Sequence, residues 1–343
     1  MYVIAVIPIV VLGVAAAATG WLTRPGARLR IMDHPNERSL HVSPVPRSGG
    51  LAIALAIALG TGLAAMLTDV SAVMGWIGIG AALVVAISFA DDCWTLHVHQ
   101  RLPVHLAAAG ILMWGGLALG RVDLPGWSLE LPLWFGVTVS MLFVVWMVNL
   151  YNFMDGMDGF AGGMGVIGFG SFAWMGGAAG GTEFALVSLV AASAAAGFLI
   201  WNYPPARIFM GDSGSSLLGF LAAALALWAQ RDNLFPLWVA VLVFSPFIVD
   251  ATVTLVRRML RGERFWLAHR SHCYQRLVRL GWGHGRTVRA EYVLMLACGA
   301  TAELARHLSP GGQRATLLVW IMIYVLLMLS VRRMEVHAEG TAE

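Results

Sequence analysis

The feature that most constrains this chain is a succession of long apolar runs. Eleven of them follow one another along the 343 residues, and a helix needs roughly 17–25 residues to cross a bilayer. In lipid, backbone N–H and C=O groups must bond within their own segment, so the runs are predicted to be helices rather than strands. We therefore expect an all-α polytopic membrane protein with about 11 transmembrane helices, near 2–22, 49–68, 73–90, 103–120, 132–150, 159–178, 183–202, 214–230, 234–256, 291–307 and 314–331.

Composition excludes several other classes of protein. Charged residues make up 12% of the chain, whereas a soluble domain carries about 25%. The formal charge is only +3, and no basic tract alternates with aromatic residues, so no nucleic-acid partner is expected. Three cysteines without a C-x-x-C pair predict neither a disulfide framework nor a zinc site. The run 2–22 lacks a charged leader and a cleavage site, which favours a retained helix over a signal peptide.

The distribution of arginine predicts the orientation of the spans. All 22 basic residues are arginine, and 18 of them fall in alternate loops and in the C-terminal tail. Positive loops stay in the cytoplasm, so the N-terminus is predicted to be periplasmic and the C-terminus cytoplasmic. The predicted cytoplasmic loops are about 23–48, 91–102, 151–158, 203–213 and 257–290.

Two adjacent carboxylates close the third predicted span. Asp91 and Asp92 lie in the stretch Phe89-Ala-Asp-Asp-Cys93, at the predicted cytoplasmic surface. A carboxylate in such a position is suited to act as a general base. The alternative is an ordinary interfacial acid pair that forms an ion pair with Arg101.

The densest polar cluster joins the fifth and sixth spans. It runs NLYNFMDGMDG from residue 149 to residue 159 and contains Asn149, Asn152, Asp155 and Asp158. A charge within a membrane costs several kcal/mol and therefore marks a functional residue by default. Helix capping by Asp or Asn is the alternative. It needs one residue rather than four, although capping remains the simpler interpretation of Asn149.

A third cluster, Phe209-Met-Gly-Asp-Ser-Gly-Ser-Ser216, opens the eighth span. Asp212 and the serines after it, at a glycine-rich helix start, indicate a phosphate or hard-cation site. A plain helix N-cap is the alternative.

Two longer loops supply candidate donors for an anionic substrate. In the loop 23–48 these are Arg38, His41 and Arg47. In the loop 257–290 they are Arg270, His272 and Gln275, whose side chains suit a diphosphate or a sugar. Most arginines of the last loop are interpreted as topology signals only.

Five carboxylates are thus expected to gather on the cytoplasmic face, without a Cys/His cluster. They are Asp91, Asp92, Asp155, Asp158 and Asp212. Oxygen-rich sites favour Mg²⁺ or Mn²⁺. A hard cation beside arginines and helix starts indicates a diphosphate site, and its place at the membrane surface suggests one soluble phosphorylated substrate and one lipid substrate.

Four motifs occur in this order: ADD at 90–92, NFMDGMDG at 152–159, MGDSGS at 210–215 and HRSHCYQ at 269–275. In this combination the chain resembles the polyprenyl-phosphate N-acetylhexosamine-1-phosphate transferases. That superfamily includes the phospho-N-acetylmuramoyl-pentapeptide transferase and the undecaprenyl-phosphate GlcNAc-1-phosphate transferase. The resemblance spans nearly the whole chain, and NxxDGxDG is its most specific element.

The resemblance implies a single transferase domain over residues 1–343, in the bacterial cytoplasmic (inner) membrane. HexNAc-1-phosphate would pass from a UDP-HexNAc to undecaprenyl phosphate with Mg²⁺, giving undecaprenyl-diphosphate-HexNAc and UMP. A single displacement is favoured because a phosphate monoester is already anionic near pH 7. A two-step route through a covalent aspartyl intermediate remains the alternative.

The resemblance also implies roles for individual residues. Asp91 resembles the proposed general base of the family, and Asp92 would assist it or the metal. Asp212 resembles the metal-binding aspartate. The residues that resemble the nucleotide-sugar site, near uridine and metal, are Asn152, Asp155 and Asp158.

The sugar is the part that the motifs leave open. Where the best-known branches carry several histidines, this chain has His272-Cys-Tyr-Gln275. The loops resemble the branch that initiates O-antigen (lipopolysaccharide) or related surface polysaccharides, which implies GlcNAc or a deoxy-HexNAc such as QuiNAc or FucNAc. A homodimer is a further hypothesis.

A secondary transporter or ion carrier is the alternative function. Such proteins place ionisable residues near the bilayer midplane. Here the acids lie at the ends of the spans, and Asp250 is the main exception.

Overall fold

A computed structural model describes residues 2–35, 43–263 and 269–340. These residues form the α-helices α1 (Tyr2–Leu22), α2 (Gly49–Leu67), α3 (Ala72–Trp94), α4 (Val98–Leu112), α5 (Leu133–Phe153), α6 (Phe160–Ala178), α7 (Thr182–Asn202), α8 (Asp212–Arg231), α9 (Leu237–Val243), α10 (Ser245–Leu260), α11 (Cys273–Leu277), α12 (Gly283–Ala305) and α13 (Pro310–Gly340). Two π-helical turns, Met113–Leu117 and Val278–Trp282, follow α4 and α11.

The helices confirm a multi-pass membrane protein. Six of those described are long and apolar enough to cross a bilayer, namely α2, α3, α5, α7, α8 and α13. The pair α9 and α10, bent by 82°, makes a seventh if it is one span. The other predicted spans coincide with α1, α6 and α12, and with α4 together with the π-helical turn after it. That these four also cross the membrane, and the orientation of the whole bundle, remain predictions.

Two short antiparallel ladders accompany the helices. The first pairs β1 (Met32–Asp33) with β2 (Val45–Pro46), and the second pairs β3 (Arg121–Leu124) with β4 (Trp127–Glu130). The hairpin β3–β4 turns at Gly126, and Gln230 Nε2 donates a hydrogen bond to Asp123 Oδ2 at 2.7 Å. Hydropathy alone did not predict these ladders, because they lie in the polar connections.

Helix α8 lies in the middle of the bundle. Of its apolar window 94% is buried, more than in any other candidate span, and it packs against α3, α5 and α2. A helix that is apolar on every side belongs in the interior of a protein. Its first residue, Asp212, is consequently held at one end of the bundle by the most enclosed helix.

Helices α2 and α8 touch through backbone atoms where they begin. Gly50 N–H donates to the Met210 carbonyl oxygen at 2.7 Å. A Cβ atom at Gly50 would lie 2.1 Å from the Gly214 nitrogen and 2.5 Å from its Cα. Neither atom can rotate away as a side chain would, so only glycine allows this approach.

We therefore expect Gly50→Ala to lower the free energy of unfolding by about 1–3 kcal/mol, the usual cost of overpacking. Thermal unfolding in detergent measures the change. Gly62→Ala is the matched control in the same helix, because no atom lies within 4 Å of its Cβ position and alanine is the better helix former by about 1 kcal/mol. Equal melting temperatures for the two variants would contradict the tight α2–α8 contact.

Candidate active site

A cleft of about 200 Å³ opens where the polar ends of the helices meet. Its wall contains seven of the residues predicted from sequence, namely Arg47, Asp92, Asn152, Asp155, Asp158, Asp212 and Gln275. Asp33, Asn202 and His284 also line it. Clusters that are far apart in the sequence thus line one cleft.

Asp92 ties α3 to the start of α8. Its Oδ1 accepts a hydrogen bond from the Asp212 N–H at 3.0 Å, and its Oδ2 accepts one from the Ser213 N–H at 3.0 Å. The first N–H groups of a helix lack partners within the helix, and a carboxylate there also meets the positive end of the helix dipole. These two hydrogen bonds hold Asp212 in position, and Asp92 itself is only 2% exposed. The N-cap of α8 thus comes from another helix.

Arg101, in α4, joins Asp91 to Asp212. Its Nη1 donates a hydrogen bond to Asp91 Oδ2 and another, at 2.9 Å, to Asp212 Oδ2. Asp91 Oδ1 also accepts a hydrogen bond from the Leu96 N–H, and Asp91 lies beside the cleft rather than in its wall. The ion pair that the sequence left open as an alternative is therefore present. Because the same guanidinium contacts Asp212, this pair adjoins the site.

Arg47 approaches Asp92 from the β1–β2 ladder. Its Nη2 donates a hydrogen bond to the Asp92 carbonyl oxygen at 2.6 Å, and its Nη1 lies 3.7 Å from Asp33 Oδ1. The guanidinium thus provides positive charge in the wall of the cleft. The other two candidates of this loop, Arg38 and His41, lie outside the described residues.

Asn152 connects the end of α5 to the first turn of α8. Its Nδ2 donates a hydrogen bond to Ser215 Oγ at 3.1 Å, and that hydroxyl donates to the Gly211 carbonyl oxygen at 3.1 Å. Asn152 and Asp212 therefore line the same cleft on helices that are bound together.

Asp155 is the least compensated carboxylate of the cleft. Among the described residues no side-chain or backbone donor bonds to it. Burial raises its pKa well above the usual range, and the carboxylates of Asp212 and Asp92 raise the pKa further. A bound cation would offset all of these effects.

Asp158 has both carboxylate oxygens in contact with the protein. Its Oδ2 accepts a hydrogen bond from the Ala206 N–H at 3.0 Å, and its Oδ1 lies 3.0 Å from His284 Nδ1. It therefore connects the start of α6 with the start of α12. In the neighbouring wall, Tyr292 Oη donates to the Gly159 carbonyl oxygen at 2.6 Å.

Asp250, the acid that lies inside a span, caps the short helix α11. It accepts hydrogen bonds from the Cys273 N–H at 2.9 Å and from the Tyr274 N–H at 3.4 Å. The Tyr274 hydroxyl then donates to the Phe153 carbonyl oxygen at 3.2 Å, next to Gly156 in the cleft. Asp250 thus anchors helix α11, which contains Gln275.

Besides Asp91, three predicted residues lie away from the cleft wall. Asn149 Nδ2 donates to the Val145 carbonyl oxygen of its own helix at 2.7 Å. His272 is 3% exposed, and its ring stacks on Tyr274 with the ring centres 5.8 Å apart. Arg270 is half-buried. A role of these residues in substrate binding remains a prediction.

Sequence reasoning missed four polar residues of the site, namely Asp33, Arg101, Asn202 and His284. Arg101 was considered only as the partner of an ordinary ion pair. Asn202 ends α7, and a polar residue at the end of an apolar run was a usable signal. His284 lies between two glycines, and nothing in its local sequence indicates that it meets Asp158 from 126 positions away.

The donor atoms of the cleft suit a hard cation that a substrate helps to bind. Among the described residues no three His, Cys, Asp or Glu side chains are grouped closely enough to hold a metal. Mg²⁺ is usually bound through one or two carboxylates together with substrate phosphates. Asp155 and Asp212, with the Asn152 amide oxygen, would provide such an incomplete set of oxygen ligands.

Known proteins are similar to this chain over most of its length. The model of glycosyl transferase family 4 matches residues 74–230, a range that contains Asp91, Asp92, Asn152, Asp155, Asp158 and Asp212. A probable undecaprenyl-phosphate N-acetylglucosaminyl 1-phosphate transferase of Bacillus subtilis is 27% identical, over 93% of this chain and 86% of that protein. A decaprenyl-phosphate N-acetylglucosaminephosphotransferase of Mycolicibacterium smegmatis is 28% identical, over 91% and 84%.

The muramoyl branch is similar as well. A phospho-N-acetylmuramoyl-pentapeptide-transferase of Shouchella clausii is 30% identical, over 72% of this chain and 78% of that protein. Likeness to both branches extends over most of the chain. The chain therefore belongs to the polyprenyl-phosphate N-acetylhexosamine-1-phosphate transferase superfamily.

Proposed function

We propose that the protein transfers HexNAc-1-phosphate from a UDP-HexNAc to undecaprenyl phosphate and releases UMP. The observation that carries this proposal is the convergence of Asp92, Asn152, Asp155 and Asp212 on one cleft at the ends of membrane helices. Such a cleft is accessible to a soluble diphosphate donor and adjoins the lipid that contains the acceptor. The relatives are named as transferases that act on polyprenyl phosphates, which supports the same reaction class.

The donor diphosphate binds beside Asp155, Asp212 and Asn152, with the Arg47 guanidinium on the same wall. Mg²⁺ or Mn²⁺ held by the two carboxylates would neutralise the diphosphate charge and make UMP a better leaving group. Asp92 keeps Asp212 in place through the first two N–H groups of α8. The protein's own contribution is thus mainly positioning and charge.

The acceptor phosphate binds at Arg101. Its guanidinium has five N–H donors, and the contacts to Asp91 and Asp212 use only Nη1. A phosphate bound by the remaining donors lies next to Asp91, which orients or deprotonates the attacking oxygen. A bond forms between that oxygen and the β-phosphorus, the bond from the β-phosphorus to the bridging oxygen breaks, and UMP leaves with the bridging oxygen.

Further parts of the proposal rest on sequence. The site faces the cytoplasm, the N-terminus is periplasmic, and the bacterial cytoplasmic membrane holds the protein. The product initiates a surface polysaccharide such as O-antigen, and the sugar is GlcNAc or a deoxy-HexNAc such as QuiNAc or FucNAc. A homodimer belongs to the same set of hypotheses.

The transporter alternative loses its main support in Asp250. A transporter would use an intramembrane acid for a coupling ion. The Asp250 carboxylate instead accepts backbone hydrogen bonds at the start of α11, which accounts for an acid at this position.

A donor panel tests the proposal directly. Purified protein in detergent, given undecaprenyl phosphate, Mg²⁺ and UDP-GlcNAc, UDP-QuiNAc or UDP-FucNAc, is expected to release UMP from at least one donor. We also expect excess EDTA to abolish the release, and MgCl₂ or MnCl₂ to restore it. The diphosphate-linked lipid product, followed by mass spectrometry, is the second readout.

Omitting undecaprenyl phosphate is the control, because a transferase needs the acceptor and a pyrophosphatase does not. The absence of UMP with every donor would contradict the transferase function. Release that EDTA leaves unchanged would contradict the cation site at Asp155 and Asp212.

A further inference from the structure

Asp158 and His284 form a carboxylate–imidazole pair in the wall of the cleft. Asp158 Oδ2 accepts a hydrogen bond from the Ala206 N–H at 3.0 Å, and Asp158 Oδ1 lies 3.0 Å from His284 Nδ1. Both carboxylate oxygens therefore have partners within the chain. Asn202, on the same wall, is engaged in a similar way, since its Oδ1 accepts from the Gly159 N–H and its Nδ2 donates to the Ile208 carbonyl oxygen, each at 2.9 Å.

Asp158 holds the imidazole ring of His284 by its Nδ1 edge. Nδ1 accepts a hydrogen bond from the Asp158 N–H at 3.4 Å and lies 3.0 Å from Asp158 Oδ1. Nε2 lies on the far side of the ring. No described residue forms a hydrogen bond with it, and the His284 side chain is 20% exposed and lines the cleft. Nε2 is therefore free to bind a ligand.

The backbone before α12 is shaped to present this histidine. Gly283 has φ 65° and ψ 169°, a combination that essentially only glycine adopts. The chain thereby turns sharply after the π-helical turn and begins α12, with His284 as its second residue. The position of His284 thus depends on a glycine conformation as well as on Asp158.

We propose that His284 is a donor-binding residue of the transferase site and that Asp158 is its positioning residue. The Nε2 of His284 forms a hydrogen bond with a hydroxyl, N–H or carbonyl group of the nucleotide sugar, and Asp158 orients the ring without touching the ligand. The inference rests on the transferase function proposed above. It extends that function because the residue that contacts the ligand is then His284 rather than Asp158 of the NxxDGxDG motif, 126 positions earlier.

Two substitutions separate this role from a merely structural tie. The amide of asparagine mimics Nδ1 and can keep the hydrogen bond to Asp158, whereas the amide of glutamine reaches the position of Nε2. We expect His284→Asn to raise KM for the UDP-HexNAc about tenfold, the effect of one lost hydrogen bond. Its kcat and its KM for undecaprenyl phosphate should change little, as for a loss of uniform binding. His284→Gln should recover most of the donor affinity.

Several results would overturn the proposal. One is a wild-type KM for UDP-HexNAc in His284→Asn together with a raised KM for UDP-HexNAc in His284→Gln. That result would mean that the Asp158–His284 contact only holds α6 and α12 together. Another is an equal rise of KM for donor and acceptor, which would indicate general distortion. Calorimetry with UDP-HexNAc and the melting temperature, measured on both variants, cover the case of low activity. Unchanged UDP-HexNAc affinity with a lowered melting temperature also refutes the proposal. A wild-type protein that releases no UMP overturns the transferase function and this inference together, whereas failure of the inference alone leaves the wild type active.

Discussion

Replacing Asp212 by asparagine is expected to lower the rate of UMP release by about 10²–10³-fold, the usual loss when one charge-stabilising group of an active site is removed. Asparagine has the same shape and can still accept the Arg101 hydrogen bond, but it brings no negative charge to a hard cation. The start of α8 should stay in place because Asp92, not Asp212, binds its first N–H groups. The measurement is the initial rate of UMP release at increasing Mg²⁺ concentration.

Asp232→Asn is the matched control at the opposite end of α8. Asp232 accepts a hydrogen bond from Trp228 Nε1 at 2.7 Å and pairs with Arg231, far along the helix from the cleft. The substitution Asp232→Asn makes the same chemical change directly after the last residue of α8. It should leave the UMP release rate within about twofold of wild type, since surface substitutions usually change free energies by no more than about 0.5 kcal/mol. An Asp212→Asn protein as active as wild type would argue against the metal role and against the transferase function.

Replacing Asp91 by asparagine is expected to lower turnover by about 10²–10⁴-fold, the usual contribution of a general base, and to spare donor binding. The reason for the second expectation is its position. Asp91 lies beside the cleft wall and contacts Arg101 and Leu96, so a bound UDP-HexNAc does not depend on it. Calorimetry with UDP-HexNAc and the rate of UMP release are the two measurements.

The neighbouring substitution Asp92→Asn distinguishes the two acids. The asparagine amide oxygen still accepts from one N–H group of α8, but the amide nitrogen, a donor, faces the second N–H group. We therefore expect the free energy of unfolding to fall by about 1–3 kcal/mol, with a lower melting temperature and lower activity. If Asp91→Asn instead lost UDP-HexNAc binding, Asp91 would belong to the donor site rather than to the acceptor phosphate.

The helices were predictable because hydropathy is a local property. Every apolar run of the sequence coincides with a helix or with adjoining helical segments, including the buried α8 and the bent pair α9 and α10. The convergence of the polar motifs was predictable for a related reason. Spans that cross a membrane one after another must alternate in direction, so motifs at every second connection are expected at the same end of the bundle.

The different structural roles of the individual acidic residues were not predictable. Asp92 and Asp212 are 120 positions apart, and only the packing of α3 against α8 makes one the cap of the helix that carries the other. The same holds for Asp250, an apparent intramembrane site that caps α11. Hydrogen bonds are directional and reach about 3 Å, so a sequence pattern with an uncertainty of several residues cannot assign them.

The sequence by itself determined a polytopic helical protein with acidic and amide residues gathered where spans end, because lipid imposes the helices and the cost of buried charge selects the helix ends. Only the tertiary structure decided which of these groups have their acceptor positions filled by contacts within the protein and which do not. Asp92 and Asp158 are occupied by backbone N–H groups and by His284, whereas Asp155 has no such partner among the described residues. The physical reason is that a carboxylate has few acceptor positions, and the contacts that occupy them come from helices brought together by packing.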